Sequence, residues 1–211
     1  MKVPGNFFLQ GAYFNLRTAI ILVGGEAKRA QGREKYFFLH EGKTFLARLL
    51  DSLIPIVDEV VLVARDPKQC TRFKDYPDIL CVPDKRAGIG PIGGIHAGVL
   101  AASGEEIFIS GCDMPFVNGE IVDRLFSLIG TYEAVIPAWD TEKFEPLHAV
   151  YKKEALLKYL ESHESLSLRA MVGNLHACYI NVEEFRKIDP DLRTFVNINK
   201  LEDLTGINNL Q

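Results

Sequence analysis

A glycine pair and a group of basic residues follow the first apolar run of the chain. The run covers residues 18–23, Gly24 and Gly25 come next, and Arg29 and Lys35 lie a short way beyond. Glycines let backbone N–H groups approach phosphate oxygens, since no Cβ stands in the way. Arginine and lysine can neutralise the charge of those oxygens. We predict a phosphate site in which Arg29 and Lys35 act, although a cation-rich surface loop fits this segment alone equally well.

Two aspartates also stand where predicted strands end. Asp84 follows the apolar run 79–82, and Asp113 follows 106–110 and precedes Met114 and Pro115. A single carboxylate in such a place suits Mg²⁺, which takes one or two protein carboxylates together with substrate phosphates. The alternative for Asp113 is a turn or a helix cap, but Asn118 is better placed to cap the next helix. We therefore predict that Asp113 binds Mg²⁺.

Two asparagines near the end of the chain flank one apolar residue. Asn197 and Asn199 stand on either side of Ile198, at the end of a strand that we predict over 195–198. Residues two apart on a strand point to the same side, so both amides are expected to face one ligand. Asn199 has a second interpretation as a helix cap, because Glu202 follows three residues later.

A literal GxGxxG pattern occurs at residues 88–93. The dinucleotide-binding fingerprint requires a strand directly before it, yet Asp84 and a short basic segment intervene and Pro91 lies inside the pattern. We interpret the segment as a glycine-rich turn that leads into a closely packed helix. Such a turn is compatible with a base or a sugar bound beside it.

Alternating strands and helices must position these residues. Apolar runs predict strands, and spacings of three and four with caps such as Thr44 and Asn118 predict helices. The strands are expected at 18–23, 58–64, 79–82, 106–110, 134–138, 147–151, 177–181 and 195–198, and the helices at 45–53, 93–102, 121–129, 153–162, 166–172 and 201–204. This alternation predicts an α/β fold with three layers, Rossmann-like, around a mostly parallel central sheet. Ligands bind such sheets at the carboxyl ends of the strands, which is where the marked residues fall.

Composition limits the function classes. The chain has 211 residues, 47% of them apolar, and a net charge of −4. We predict one domain over 18–211 preceded by an N-terminal extension, 1–17, which lacks the pattern of a secretion signal. The charge gives no general attraction to nucleic acid or to a membrane, and no stretch is apolar for long enough to span a bilayer.

The cysteines and histidines are scattered. The chain has four cysteines and five histidines, and neither CxxC nor HxxxH occurs. We therefore expect no zinc site, and reduced thiols in a cytoplasmic protein.

Taken together, these features resemble the molybdenum cofactor guanylyltransferase family. The matching segments follow the family order across residues 18–205, nearly the whole chain: LVGG at 22–25 with Arg29 and Lys35, GPIGG at 90–94, CDMP at 112–115, EPLH at 145–148 and FVNIN at 195–199. Any one of these motifs is weak, whereas five in order are specific. The resemblance implies a nucleotidyltransferase that takes GTP and Mg²⁺, joins GMP to the terminal phosphate of molybdenum-carrying molybdopterin and releases pyrophosphate.

The same resemblance implies a role for each marked residue. It assigns catalysis to Arg29, Lys35 and Asp113; nucleotide binding to Leu22, Val23, Gly24, Gly25, Lys35, Asp84, Gly90, Gly93 and Asp113; magnesium binding to Asp113; and acceptor binding to Asn197 and Asn199. Gly25 and the GPIGG segment favour guanine over cytosine. A monomer is expected, with a molybdenum-insertion protein or a molybdoenzyme chaperone as a further candidate partner.

Some residues depart from the family pattern. Val23 replaces an alanine, Ala30-Gln31-Gly32 replaces the usual Met-Gly, and Glu26 adds a negative charge. The alternatives are therefore cytidylyl transfer to molybdopterin, guanylyl transfer to phospholactate or a sugar phosphate, and a nucleotide-binding partner protein with weakened catalysis.

Overall fold

A computed structural model of the protein describes residues 15–24, 35–84, 86, 88–162, 165–199 and 203. The strands within this part of the chain are β1 (Arg17–Leu22), β2 (Leu39–His40), β3 (Lys43–Thr44), β4 (Glu59–Ala64), β5 (Leu80–Pro83), β6 (Glu106–Gly111), β7 (Ala134–Ala138), β8 (His148–Lys152) and β9 (Ala177–Asn181). The α-helices are α1 (Phe45–Leu53), α2 (Pro67–Cys70), α3 (Pro91–Ala101), α4 (Gly119–Leu128), α5 (Lys153–Ser162) and α6 (Leu168–Gly173). Short 3₁₀ turns cover Lys35–Phe37, Thr71–Phe73, Val182–Lys187 and Arg193–Phe195.

Seven of the strands form one sheet in the order β5-β4-β1-β6-β8-β7-β9. Strand β8 runs antiparallel to both of its neighbours, and every other pairing is parallel. Leu22 of β1 pairs with Val63 on one side and with Gly111 on the other, so three strands end together at one edge. The predicted α/β fold with a mostly parallel central sheet is confirmed.

Apolar side chains on both faces of the sheet explain why the central strands read as continuous apolar runs. Ala19 and Ile21 of β1 belong to a core with the buried faces of α1 and α4. Ile20, between them, belongs to a second core with α3, α5 and α6. The sheet is therefore the middle of three layers.

Side-chain caps mark where helices α1, α4 and α6 begin; α1 begins as predicted, whereas α4 begins at Gly119, two residues earlier than predicted. Thr44 Oγ1 accepts a hydrogen bond from the Ala47 N–H, and Asn118 Oδ1 accepts from the first turn of α4. Both predicted caps are confirmed. Helix α6 begins at Leu168, two residues later than predicted, because Ser167 caps it through the Ala170 N–H.

The strand predicted over residues 195–198 is wrong. The chain forms a 3₁₀ turn over Arg193–Phe195, entered at Leu192 with a left-handed φ of 54°, and Val196 to Asn199 are irregular. This segment is apolar because Ile198 packs with Phe38 and Phe45 in a small separate core. Ile198 is therefore buried without being part of a strand, and this burial explains why the segment has the apolar pattern of a strand.

Two predicted segments lie outside the described residues. These are nearly all of the N-terminal extension at 1–17, of which only 15–17 are described, and the terminal helix at 201–204 except Asp203. No helix in the described ranges is long and apolar enough to cross a membrane.

Candidate functional site

Of the four neighbouring strands β5, β4, β1 and β6, three carry predicted site residues at their carboxyl ends. Asp84 follows β5, Gly24 follows β1 by two residues, and Asp113 follows β6 by two residues. Because neighbouring strands are about 4.8 Å apart, the ends of β5 and β6 are separated by roughly 14 Å along this edge. The edge includes the reversal of strand order at β1 and β6, where open α/β sheets form a ligand crevice.

A cation, a carboxylate and an amide meet at the β6 end of this edge. Lys35 Nζ lies 3.0 Å from Asp113 Oδ2, although the two residues are 78 positions apart. The same Nζ lies 2.9 Å from Asn199 Oδ1, at a separation of 164 positions. The side chains of Lys35 and Asp113 are 20% and 30% exposed, so the cluster is partly desolvated yet open to a ligand. This cluster brings together three of the predicted residues.

Backbone contacts hold Asp113 in place. Its carbonyl accepts a hydrogen bond of 2.7 Å from the Ile198 N–H, and the Cys112 N–H before it donates to Leu22 O at 3.1 Å. A Cβ on Gly111 would lie 2.5 Å from Asp113 Oδ1, closer than real Cβ atoms approach. The Asp113 carboxylate therefore folds back over Gly111 and occupies the space that a Cβ at this position would take.

The β5 end of the edge forms a second group. Asp84 Oδ1 accepts from the Arg86 N–H at 2.8 Å, and a Cβ on Gly93 would lie 2.9 Å from this same oxygen. Gly90 has φ of +77° and stands directly before α3, so the chain turns here in a conformation that favours glycine. The GxGxxG segment is thus a turn into α3, and predicted residues Asp84, Gly90 and Gly93 share it.

Small residues bring the first strand close to its surroundings. A Cβ on Gly24 would lie 2.8 Å from the Arg65 backbone N, and one on Gly94 would lie 3.2 Å from Leu22 Cδ2. The Val23 N–H donates to Val63 O at 2.9 Å. Leu22, Val23 and Gly24 therefore lie between the two groups, on the central strand of the edge.

The remaining predicted residues divide into two sets. Gly25 and Arg29 lie outside the described residues. Asn197 is exposed, and the expectation that it shares a strand face with Asn199 is wrong because no strand forms there. The Asn199 N–H donates to Asp203 Oδ2 at 2.8 Å, while its side-chain oxygen accepts from Lys35.

A buried histidine was not predicted as a site residue. His148 is completely buried, and its imidazole ring contacts the rings of Phe108 and Phe195. Its Nε2 lies 3.3 Å from Thr194 Oγ1. Burial lowers the pKa of His148 to about 3, so the imidazole is neutral. Thr194 Oγ1 also accepts from the Asn118 N–H. The network supports the segment that leads to Asn199.

Gln69 was also missed. Its side chain is 1% exposed and reaches Val23 and Tyr36, on the two stretches that carry Gly24 and Lys35. A glutamine in a four-residue helix has no periodicity or spacing that marks it in the sequence.

The chemistry of the donors fits one kind of metal. In the described part of the chain no three His, Cys, Asp or Glu residues are grouped so as to hold a metal ion. Asp113 and Asn199 offer hard oxygen ligands, the type that Mg²⁺ prefers when phosphates and water complete its shell. The donor chemistry of Asp113 and Asn199 therefore suits magnesium.

Comparison with known proteins gives one consistent family. A family model described as "MobA-like NTP transferase domain" matches residues 19–178. A "Probable molybdenum cofactor guanylyltransferase" from Methanosarcina acetivorans is 41% identical, covering 90% of this chain and 89% of that protein. One of the same description from Methanosarcina mazei is 42% identical, covering 92% and 90%.

A solved structure extends the similarity to the fold. The "Molybdopterin-guanine dinucleotide biosynthesis protein A" from Archaeoglobus fulgidus is 30% identical, covers 92% of this chain and 97% of its own, and superposes with a TM-score of 0.76. The resemblance inferred from the motifs is therefore confirmed over nearly the whole chain.

Proposed function

This chain belongs to the MobA-like NTP transferase family, and from that premise we propose that it transfers GMP from GTP to molybdenum-carrying molybdopterin, with release of pyrophosphate. The enzyme is a nucleotidyltransferase. The observation that carries the site assignment is the 3.0 Å contact between Lys35 Nζ and Asp113 Oδ2 at the carboxyl edge of the sheet. This contact supports the assignment because it places a cation beside a carboxylate, and the proposal uses the first for the phosphates of GTP and the second for Mg²⁺.

The reaction calls for positioning and charge stabilisation. A phosphate oxygen of the acceptor attacks the α-phosphorus of GTP, and the bond to the departing pyrophosphate breaks. A phosphate oxygen is already a nucleophile, so no side chain has to remove a proton from it. Negative charge spreads over the phosphate oxygens in the transition state, and fixed cations stabilise it there. A site of glycines, a lysine, aspartates and asparagines meets this need.

In this proposal Lys35 donates to the phosphate oxygens of GTP. Its Nζ is already held by Asp113 and Asn199, so the charge is placed before the substrate arrives and little reorganisation is needed. Arg29, on the same glycine-flanked segment, adds a second cation. The backbone at Leu22, Val23, Gly24 and Gly25 is proposed to approach the nucleotide closely. A side chain at Gly24 would collide with the Arg65 backbone, 2.8 Å away, and would displace this segment.

Asp113 is the proposed ligand of Mg²⁺. A bound Mg²⁺ would neutralise charge on the triphosphate. The chain's own contribution is the placement of Asp113: the Ile198 N–H holds its backbone carbonyl, and the absence of a Cβ at Gly111 leaves room for its carboxylate. Lys35 lies against the same carboxylate, so Asp113 would hold the metal ion next to this cation.

The two ends of the edge divide the substrates between them. Asp84 with Gly90 and Gly93 is proposed to hold the guanosine, because the turn before α3 offers a carboxylate and close backbone approach. Asn199, beside Asp113, is proposed to face the acceptor phosphate, with Asn197 further along the same irregular segment. The roughly 14 Å between the ends of β5 and β6 suits an extended nucleoside triphosphate.

A direct assay tests the function. The purified protein is mixed with Mg²⁺ and each of the four NTPs, with and without molybdenum-loaded molybdopterin, and released pyrophosphate is measured. We expect release only when GTP and the acceptor are both present, and a product that contains GMP joined to the pterin phosphate. Equal release with CTP, or release with phospholactate or a sugar phosphate in place of the pterin, would contradict the proposal.

A further inference from the structure

The side chain of Gln69 connects the two chain stretches that carry the first-strand glycine and the site lysine. Gln69 lies in α2 and is 1% exposed. Its Nε2 donates to Val23 O and to Tyr36 Oη, each at 3.3 Å. Val23 directly precedes Gly24, and Tyr36 directly follows Lys35. One amide group thus contacts the residue before Gly24 and the residue after Lys35.

The other polar atoms of Gln69 fix the amide itself. Its Oε1 accepts from the Arg65 N–H at 2.7 Å, and its backbone N–H donates to Asp66 Oδ1 at 2.7 Å. Asp66 is the N-cap of α2 and also binds Arg65 through Nε at 3.1 Å. The hydrogen bond from Arg65 therefore holds Oε1 of Gln69, and Nε2 is directed towards the end of β1 and the 3₁₀ turn that contains Tyr36.

Only an amide side chain suits these partners. A carbonyl oxygen such as Val23 O can only accept, and the Arg65 N–H can only donate, so the side chain between them must donate and accept at once. Glutamate at position 69 has no N–H, and methionine offers neither function. Because the group is buried, water cannot replace a lost partner, and the carbonyl of Val23 would lose this donor.

Tyr36 transmits the constraint to Lys35. The Tyr36 ring is 1% exposed and contacts Phe37 and Phe73, at ring-centre distances of 4.6 and 5.0 Å. A residue packed in this way leaves its neighbour little freedom, so the hydroxyl contact bears on where the Lys35 ammonium lies. A displacement of about 1 Å at a charge-stabilising group is enough to reduce catalysis substantially.

We propose that Gln69 is a positioning residue for the transfer reaction: it donates hydrogen bonds to both Val23 O and Tyr36 Oη and thereby fixes the position of Lys35 relative to Gly24. This role rests on the proposed function of Lys35. Gln69 touches neither substrate, and it acts through the two residues that flank the phosphate-binding positions.

The test compares Gln69→Met with a control of similar burial at the opposite end of the sheet. Thr18 is fully buried, and its hydroxyl donates to Glu59 and accepts from the Gly104 N–H, so Thr18→Val also removes buried hydrogen bonds. Thermal melting reports the stability loss of each variant. Pyrophosphate release gives kcat and KM, and titration with a fluorescent N-methylanthraniloyl GTP gives affinity in the absence of turnover.

We expect Gln69→Met to lower kcat about tenfold and to weaken GTP binding several-fold, since a fixed donor is misplaced. Thr18→Val is expected to stay within about twofold of the parent in both measurements. Tyr36→Phe, which keeps the ring and removes the hydroxyl, is expected to lower kcat in the same direction by a smaller factor. If Gln69→Met lowers only the melting temperature, as Thr18→Val does, Gln69 has a structural role alone and the inference is overturned.

A double-mutant cycle separates this inference from the site assignment. If Gln69 acts through Lys35, then Gln69→Met lowers kcat by less than about twofold when Lys35→Met is already present. A full tenfold loss in that background would refute the positioning role and leave the Lys35 assignment intact. Unchanged turnover in Lys35→Met alone would instead defeat the proposed site.

Discussion

Replacement of Lys35 by methionine separates the catalytic value of its charge from its structural value. The Nζ–Oδ2 distance of 3.0 Å to Asp113 gives a gross attraction of about 5 kcal/mol at an effective dielectric constant of 20. Screening by water, which reaches both side chains at 20–30% exposure, and the partial loss of hydration together offset most of this attraction. The net contribution to folding is therefore expected to be about 1 kcal/mol or less.

The expected loss of activity is much larger. A fixed donor aimed at developing charge typically contributes about 3 kcal/mol to the transition state, so kcat/KM should fall roughly 150-fold. The assay is pyrophosphate release at saturating acceptor and varied GTP, run beside thermal melting of the same preparation. The melting temperature should change by no more than a few degrees.

Lys43→Met is the matched control for this experiment. Lys43 makes an ion pair of 2.6 Å with Asp51, but both side chains are about 60% exposed and belong to the β3 hairpin and the outer side of α1. Its kcat/KM should stay within about twofold of the parent. The catalytic role of Lys35 is refuted if Lys35→Met keeps more than a third of the parent kcat/KM, or if kcat/KM of Lys43→Met decreases as much as that of Lys35→Met.

Three further outcomes follow from the same geometry. Asp113→Asn should raise the Mg²⁺ concentration needed for half-maximal pyrophosphate release at least tenfold, and an unchanged magnesium titration would remove Asp113 from the metal site. Gly111→Ala should lower kcat about tenfold, because the added Cβ displaces the Asp113 carboxylate. The loss in free energy of unfolding, measured with denaturant, should be under about 1 kcal/mol, since a flexible side chain moves and the backbone does not. Turnover equal to that of the parent would contradict this prediction. Burial lowers the pKa of His148 to about 3 in the folded protein, whereas the unfolded chain takes up this proton below about pH 6.5, so the free energy of unfolding falls as the pH drops from 6.5 towards 3. About 2 kcal/mol should be lost between pH 7.5 and pH 5, and His148→Gln should lack this part of the loss. An identical dependence of stability on pH in both proteins would contradict this expectation.

Local features of the sequence were sufficient for the seven strands of the main sheet and for the five longer helices, whereas the short β2, β3 and α2 were not predicted. The caps at Thr44 and Asn118 and the apolar runs of the central strands act over a few residues, so the sequence pattern reveals them directly. The error at 195–198 has the same origin. In the sequence, a short apolar run that forms a strand looks the same as one that, like the run around Ile198, only fills a small separate core.

By itself the sequence determined which residue types are available at the strand ends: glycines, aspartates, a lysine and asparagines in the family's order. The tertiary structure decided which of them meet. Lys35 contacts Asp113 across 78 positions and Asn199 across 164, because strand order and the path of the irregular segment bring them together. The Gln69 amide likewise meets Val23 O and Tyr36 Oη, which belong to separate segments of the chain. No periodicity or spacing encodes such contacts, since they form only when the sheet is assembled.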